Sequence, residues 1–97
     1  EDRLLKPDDR ELPPPPAVAG AKRAMEIARL WIVDGDPHVV LSPSLWKDPA
    51  TWGLMLVDFA KHVASAYEAQ GHDRVDVLRR IREGLEAEWH SPTDGSL

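Results

Sequence analysis

Asp58 and His62 stand four residues apart, the spacing at which a carboxylate and an imidazole share one face of a helix. Such a pair can act as a general base with its orienting acid, or supply two ligands to a metal ion. A metal needs at least one more donor, and neither Glu68 nor His72 stands where it would complete the set. Acid–histidine pairs at this spacing are also common on solvated helix faces. Asp58 and His62 are therefore carried as an alternative polar site. No catalytic residue, metal ligand or cofactor is assigned.

The remaining polar residues point the same way. Asp34 and Asp36 belong to a turn, where Asp serves its backbone-capping hydrogen bond. Glu83, Glu86 and Glu88 alternate with arginines at helical spacing and read as a solvated, salt-bridged face. His38, His72 and His90 fall at the ends of expected elements. Gly20, Gly35, Gly53, Gly71 and Gly84 are isolated, so nothing resembles a phosphate-binding loop. With no Cys in the chain, disulfides, thiolate nucleophiles and Cys-based zinc sites are excluded together.

Recognition chemistry is better represented. Arg10, then Leu12 and the run Pro13 to Pro16, matches a basic residue followed by prolines three apart, the form that docks on aromatic grooves. A polyproline helix is preformed, so ordering it on a partner costs little entropy. Arg10, Pro13 and Pro16 are the candidate contacts. Four tryptophans are many for 97 residues, and Trp is enriched at binding hot spots. Trp52 and Trp89 lie on apolar helical stripes and read as core. Trp46 precedes a helix start, where it either staples that start or faces a partner.

These residues need elements to hold them. Residues 1–20 read as an extended proline-rich arm, and residues 21–97 as one compact domain. From 21 to 33 the pattern fits a strand with Met25, Ile27, Trp31 and Val33 on one face, although a helix is also compatible. Leu30 to Val33, then Asp34-Gly35, then His38 to Leu41 has the form of a β-hairpin. Asp48-Pro49 opens a long helix that runs to about Gln70, before Gly71. Trp52, Met55, Leu56, Phe59, Val63 and Tyr67 line its apolar stripe. A second helix from Arg74 to about His90, capped by Asp73, carries Leu78, Ile81, Leu85 and Trp89. The expected fold is α+β: arm, hairpin, then two antiparallel helices packed on the hairpin, with an all-α three-helix arrangement as the alternative.

Composition bounds the partners. A hydrophobic share of 42% and a charged share of 30% belong to a globular domain. A net charge of −5 disfavours nucleic acid and anionic membrane surfaces, because both demand clustered Lys and Arg. No apolar run approaches a membrane span or a secretion signal, so a cytoplasmic location is the expectation. A chain this short builds a thin core, and a two-stranded hairpin has open edges. Two copies joined edge to edge would make a four-stranded sheet backed by four helices, and a homodimer is expected.

Lys6-Pro7 to Asp9, the proline block, Ala24 to Ile27, Trp31-Ile32, and Trp46 to Pro49 with Trp52-Gly53 together resemble a small bacterial family known as a domain of unknown function. The likeness runs from Lys6 to Trp89. It implies a compact α+β domain in a bacterial cytosol and supplies no activity, ligand or site residue. The function expected is a small non-enzymatic interaction module of homodimeric form. The alternative is a small enzyme or ligand-binding protein whose site lies between the hairpin and the long helix.

Overall fold

The computed structural model describes residues 10–91; residues 1–9 of the arm and the tail from Pro92 lie outside that range. The elements run α1 (Ala17–Gly20), β1 (Ala28–Val33), β2 (Asp36–Leu41), α2 (Ala50–Glu68) and α3 (Arg74–His90). The fold class is α+β, a two-stranded antiparallel hairpin followed by helices.

The hairpin closes on two residues. Asp34 at φ 51° and Gly35 at φ 88° both occupy the left-handed region. That is the backbone of a type I′ turn, whose twist matches the strands it joins, and Asp-Gly is a dipeptide that tolerates it. Val33 therefore faces Asp36, and the ladder continues through Trp31–His38 and Arg29–Val40 to Ala28–Leu41. The strand is shorter than its sequence pattern suggested. The Ser42 amide donates to the Ile27 carbonyl at 3.0 Å. The next residue, Pro43, has no N–H to extend the ladder, and residues 21–27 are irregular. The proline arm also departs from a uniformly extended form. Pro16 adopts helical angles, and Ala17–Gly20 make a single helical turn started by the Val18 amide donating to the Pro15 carbonyl.

Three of the four ends of the long helices fall on their punctuation. Asp48 accepts from the Ala50 amide at 3.0 Å, satisfying a donor in the first turn of α2. At the other end Gly71 has φ 98°. The Gly71 amide donates to Glu68 at 2.9 Å and the His72 amide to Tyr67 at 3.2 Å, the bond pair of a Schellman stop. The rings of Tyr67 and His72 meet edge to face 5.4 Å apart, closing the same turn. Asp73 then caps α3, accepting from the Asp76 amide. Along the outer face of α3, hydrogen bonds from Arg80 and then Arg79 hold the Glu83 carboxyl below the ordinary glutamate range.

The two helices close on small side chains. Ala64 is fully buried, with Ala60 and Val63 beside it and Val77, Leu78 and Ile81 partly covered on α3. Arg74 ties the helices together, its Nη1 donating to Ser65 Oγ at 2.9 Å and to the Lys61 carbonyl at 3.3 Å. Ala64→Leu should overfill this contact and lower stability by about 1–3 kcal/mol, measured by urea denaturation.

Two expectations about packing are corrected. No Cα of either strand lies within 8 Å of a Cα of α2 or α3, and Leu30, Ile32, Val39 and Leu41 stay exposed, so the helices do not cover the apolar face of the hairpin. Nor is Trp89 core: it is 74% exposed, and every residue of α3 after Ile81 is exposed. Coverage between the helices is confined to their connected ends, around Ala64 on α2 and Val77, Leu78 and Ile81 on α3, and the later part of the stripe, Leu85 and Trp89, is left open.

Candidate functional site

The hairpin register sorts the strand residues into two unlike faces. Directly opposed residues share a face, so Ala28, Leu30 and Ile32 of β1 join Pro37, Val39 and Leu41 of β2. All six are apolar. The other face mixes Arg29, Trp31 and Val33 with Asp36, His38 and Val40. The strand pattern in the sequence had pointed to Trp31 and Val33 as the packed side. The two-residue turn overrides it, because pairing Val33 with Asp36 puts charged and polar residues of β2 on that face.

Among the described residues nothing covers the apolar face. Leu30 is 66% exposed, Ile32 59%, Val39 52% and Leu41 47%. On the mixed face Arg29 is held by Glu26 at 2.7 Å and by Glu11 of the arm at 3.1 Å. Glu26 and Glu11 raise the Arg29 pKa further. This ion pair places the arm's Glu11 beside the mixed face and leaves the apolar one open.

The helices add further uncovered apolar surface. Leu54, Leu56, Val57 and Phe59 of α2 are exposed, as are Leu85 and Trp89 of α3. Among the described residues Ala64 is the one fully buried apolar side chain. These uncovered apolar surfaces of the hairpin and the helices are the candidate site.

The polar candidates are differently placed. His62 Nδ1 lies 2.9 Å from the Asp58 carbonyl and 3.3 Å from its Oδ2. The ring is thus turned back onto its own helix. Both side chains are exposed. Among the described residues no strand approaches α2 to enclose the pair. Among the described residues no three His, Asp or Glu side chains converge as a metal site would require. An open groove of about 470 Å³ does lie between the helices, lined by Val63, Tyr67, His72, Asp76, Val77 and Arg80 among others, but neither Asp58 nor His62 lines it.

Arg10, Pro13 and Pro16 are exposed on the arm. Trp46 is half-buried and meets Trp52 edge to face, ring centres 4.9 Å apart, which is how it staples the start of α2. No described helix is long and apolar enough to cross a membrane.

The chain belongs to the family described as Domain of unknown function (DUF5076), whose model matches residues 11–93. The match takes in the proline run, the hairpin and both long helices, in keeping with the resemblance visible in the sequence. The chain is also similar to a solved structure from the photosynthetic bacterium Rhodopseudomonas palustrus, provisionally described as a pyruvate dehydrogenase. The two are 38% identical over 90% of each chain, with a TM-score of 0.66. No curated protein matches the chain.

Proposed function

We propose that this member of the family is a non-enzymatic protein-interaction module that works as a homodimer, with its hydrophobic core completed by the second copy. The observation that carries this reading is the wholly apolar, uncovered sheet face of Ala28, Leu30, Ile32, Pro37, Val39 and Leu41. A two-stranded hairpin is marginal in water, and it gains stability only when an apolar face is covered. The helices of the same chain do not cover it. A second copy that covered this face would bury it as the interfaces of obligate dimers are buried. The uncovered stripe of Leu85 and Trp89 belongs to the surface buried in this way.

The arm is the second working surface. With Glu11 tied to Arg29, it holds Pro13 and Pro16 in the open beside Arg10, available to a partner protein. The acidic charge leaves nucleic acid and anionic membrane as poor ligands. A cytoplasmic site of action is in keeping with this chemistry and with the bacterial relative.

Obligate assembly has a thermodynamic signature. Each tenfold rise in protein concentration should stabilise a folded dimer by about 1.4 kcal/mol per dimer. The urea midpoint is therefore expected to climb steadily between micromolar and hundred-micromolar chain. A midpoint independent of concentration would count against the proposal.

The name of the Rhodopseudomonas palustrus relative favours a second reading, a small enzyme or ligand-binding protein using Asp58 and His62. Both groups stand on an open helix surface, where water screens the charges that a catalytic site must concentrate. Turnover of pyruvate that His62→Gln abolishes would establish this second reading over the first.

A further inference from the structure

The hairpin has two outer edges, and they are not equivalent. Antiparallel ladders alternate pairs that exchange both hydrogen bonds with pairs that exchange none. The bond from the Ser42 amide to Ile27 identifies Ile27–Ser42 as a bonded pair. Counting by twos, Arg29–Val40, Trp31–His38 and Val33–Asp36 are bonded as well. The intervening residues turn their backbone groups outward: Ala28, Leu30 and Ile32 on β1, and Pro37, Val39 and Leu41 on β2.

On β2 the outward row begins with Pro37, which has no N–H to give. Proline on an edge is a standard obstacle to strand addition. On β1 the outward row is complete, with three donors and three acceptors in succession. Among the described residues no backbone hydrogen bond from outside the hairpin reaches it.

Resting on the reading that the chain is a homodimer, we infer that two copies join through the outer edge of β1, antiparallel about a twofold axis at Leu30. Centred there, Leu30 faces Leu30 of the second copy and Ala28 faces Ile32. All three outward residues of each strand are then used. Shifting the centre to Arg29 would oppose two arginines, which like charges disfavour. Shifting it to Trp31 would leave Ala28 opposite the turn residue Asp34.

The same register explains why the outward residues of β1 are all apolar. Residues opposite one another share a face, so the apolar face of one hairpin continues directly into that of the other. The result is a four-stranded sheet with one unbroken apolar side and Pro37 guarding both outer margins. An extended peptide could also add to this edge, but it would leave the chain without a twofold partner.

The chain contains no cysteine, so any disulfide reports a single engineered contact. Opposed residues in a bonded antiparallel pair have Cα atoms about 5.5 Å apart, which a disulfide spans. Leu30→Cys should oxidise to a covalent dimer, while Val39→Cys on the other edge should stay monomeric under denaturing, non-reducing electrophoresis. Ala28→Cys and Ile32→Cys test the register without altering Leu30. Neither should cross-link alone, because its twofold mates lie about 14 Å apart, and a mixture refolded together should. Covalent product from Val39→Cys, or none from both Leu30→Cys and the mixture, would overturn the β1 edge while leaving a sedimenting dimer intact. A monomeric unsubstituted chain would instead remove the homodimer and this edge with it.

Discussion

Ile32→Asp should convert the protein to a monomer with an unfolded hairpin, whereas Val40→Asp should leave assembly and stability nearly unchanged. In the single chain the two side chains are equally open, Ile32 at 59% and Val40 at 70% exposure. Exposure in one chain therefore predicts the same small effect for both. The faces distinguish them. Ile32 lies on the wholly apolar side with Leu30, and Val40 on the mixed side opposite Arg29. Burying an unpaired carboxylate costs several kcal/mol, and losing an Ile from a buried face adds about 2 kcal/mol. A marginal hairpin does not survive that sum. Val40→Asp, next to the Arg29 guanidinium, should stay within about 0.5 kcal/mol of the unsubstituted protein. Far-ultraviolet circular dichroism and size-exclusion elution of both variants read the contrast.

Trp89→Ala is the second large effect. Trp89 is 74% exposed and Val75, also on α3, is 72% exposed, so a solitary chain should tolerate loss of either. Trp89, however, continues the Leu78, Ile81, Leu85 stripe at four-residue spacing, while Val75 lies off it. If that stripe is buried on assembly, truncating Trp89 removes an aromatic side chain at a cost of about 3–5 kcal/mol per subunit. Val75→Ala should cost under about 0.5 kcal/mol. Urea denaturation at one fixed chain concentration compares them directly.

Much of this fold could be read from punctuation. Asp34-Gly35 required left-handed backbone and gave the hairpin. Asp48-Pro49, Gly71 and Asp73 set three helix ends through identifiable hydrogen bonds. These signals are local, a side chain acting on backbone groups within a few residues. The strand from Ala21 failed because its limit is set by Pro43 across the ladder. The apolar face was misjudged for a related reason. Alternation in β1 alone favoured Trp31 and Val33, and only the turn-defined pairing with Pro37, Val39 and Leu41 identifies the other side.

Packing was less legible still. An apolar stripe announces that a surface will be covered, and gives no hint of whether the cover comes from the same chain. Trp52 and Trp89 look alike in sequence. Trp52 finds Trp46 within the chain, and among the described residues nothing covers Trp89, which is 74% exposed. The expectation that the helices would back their own hairpin treated all apolar surface as intramolecular. The Asp58–His62 pair shows the opposite limit: spacing placed the two groups together, but whether walls surround them depends on residues far away in sequence.

Sedimentation equilibrium of the full chain at micromolar concentration tests most directly whether a second copy completes the core. The predicted mass is twice 10.8 kDa, with no monomer resolved at the lowest concentration that absorbance can follow. A stable, cooperatively folded species of 10.8 kDa would contradict it, since that chain would be holding an entire apolar sheet face in water.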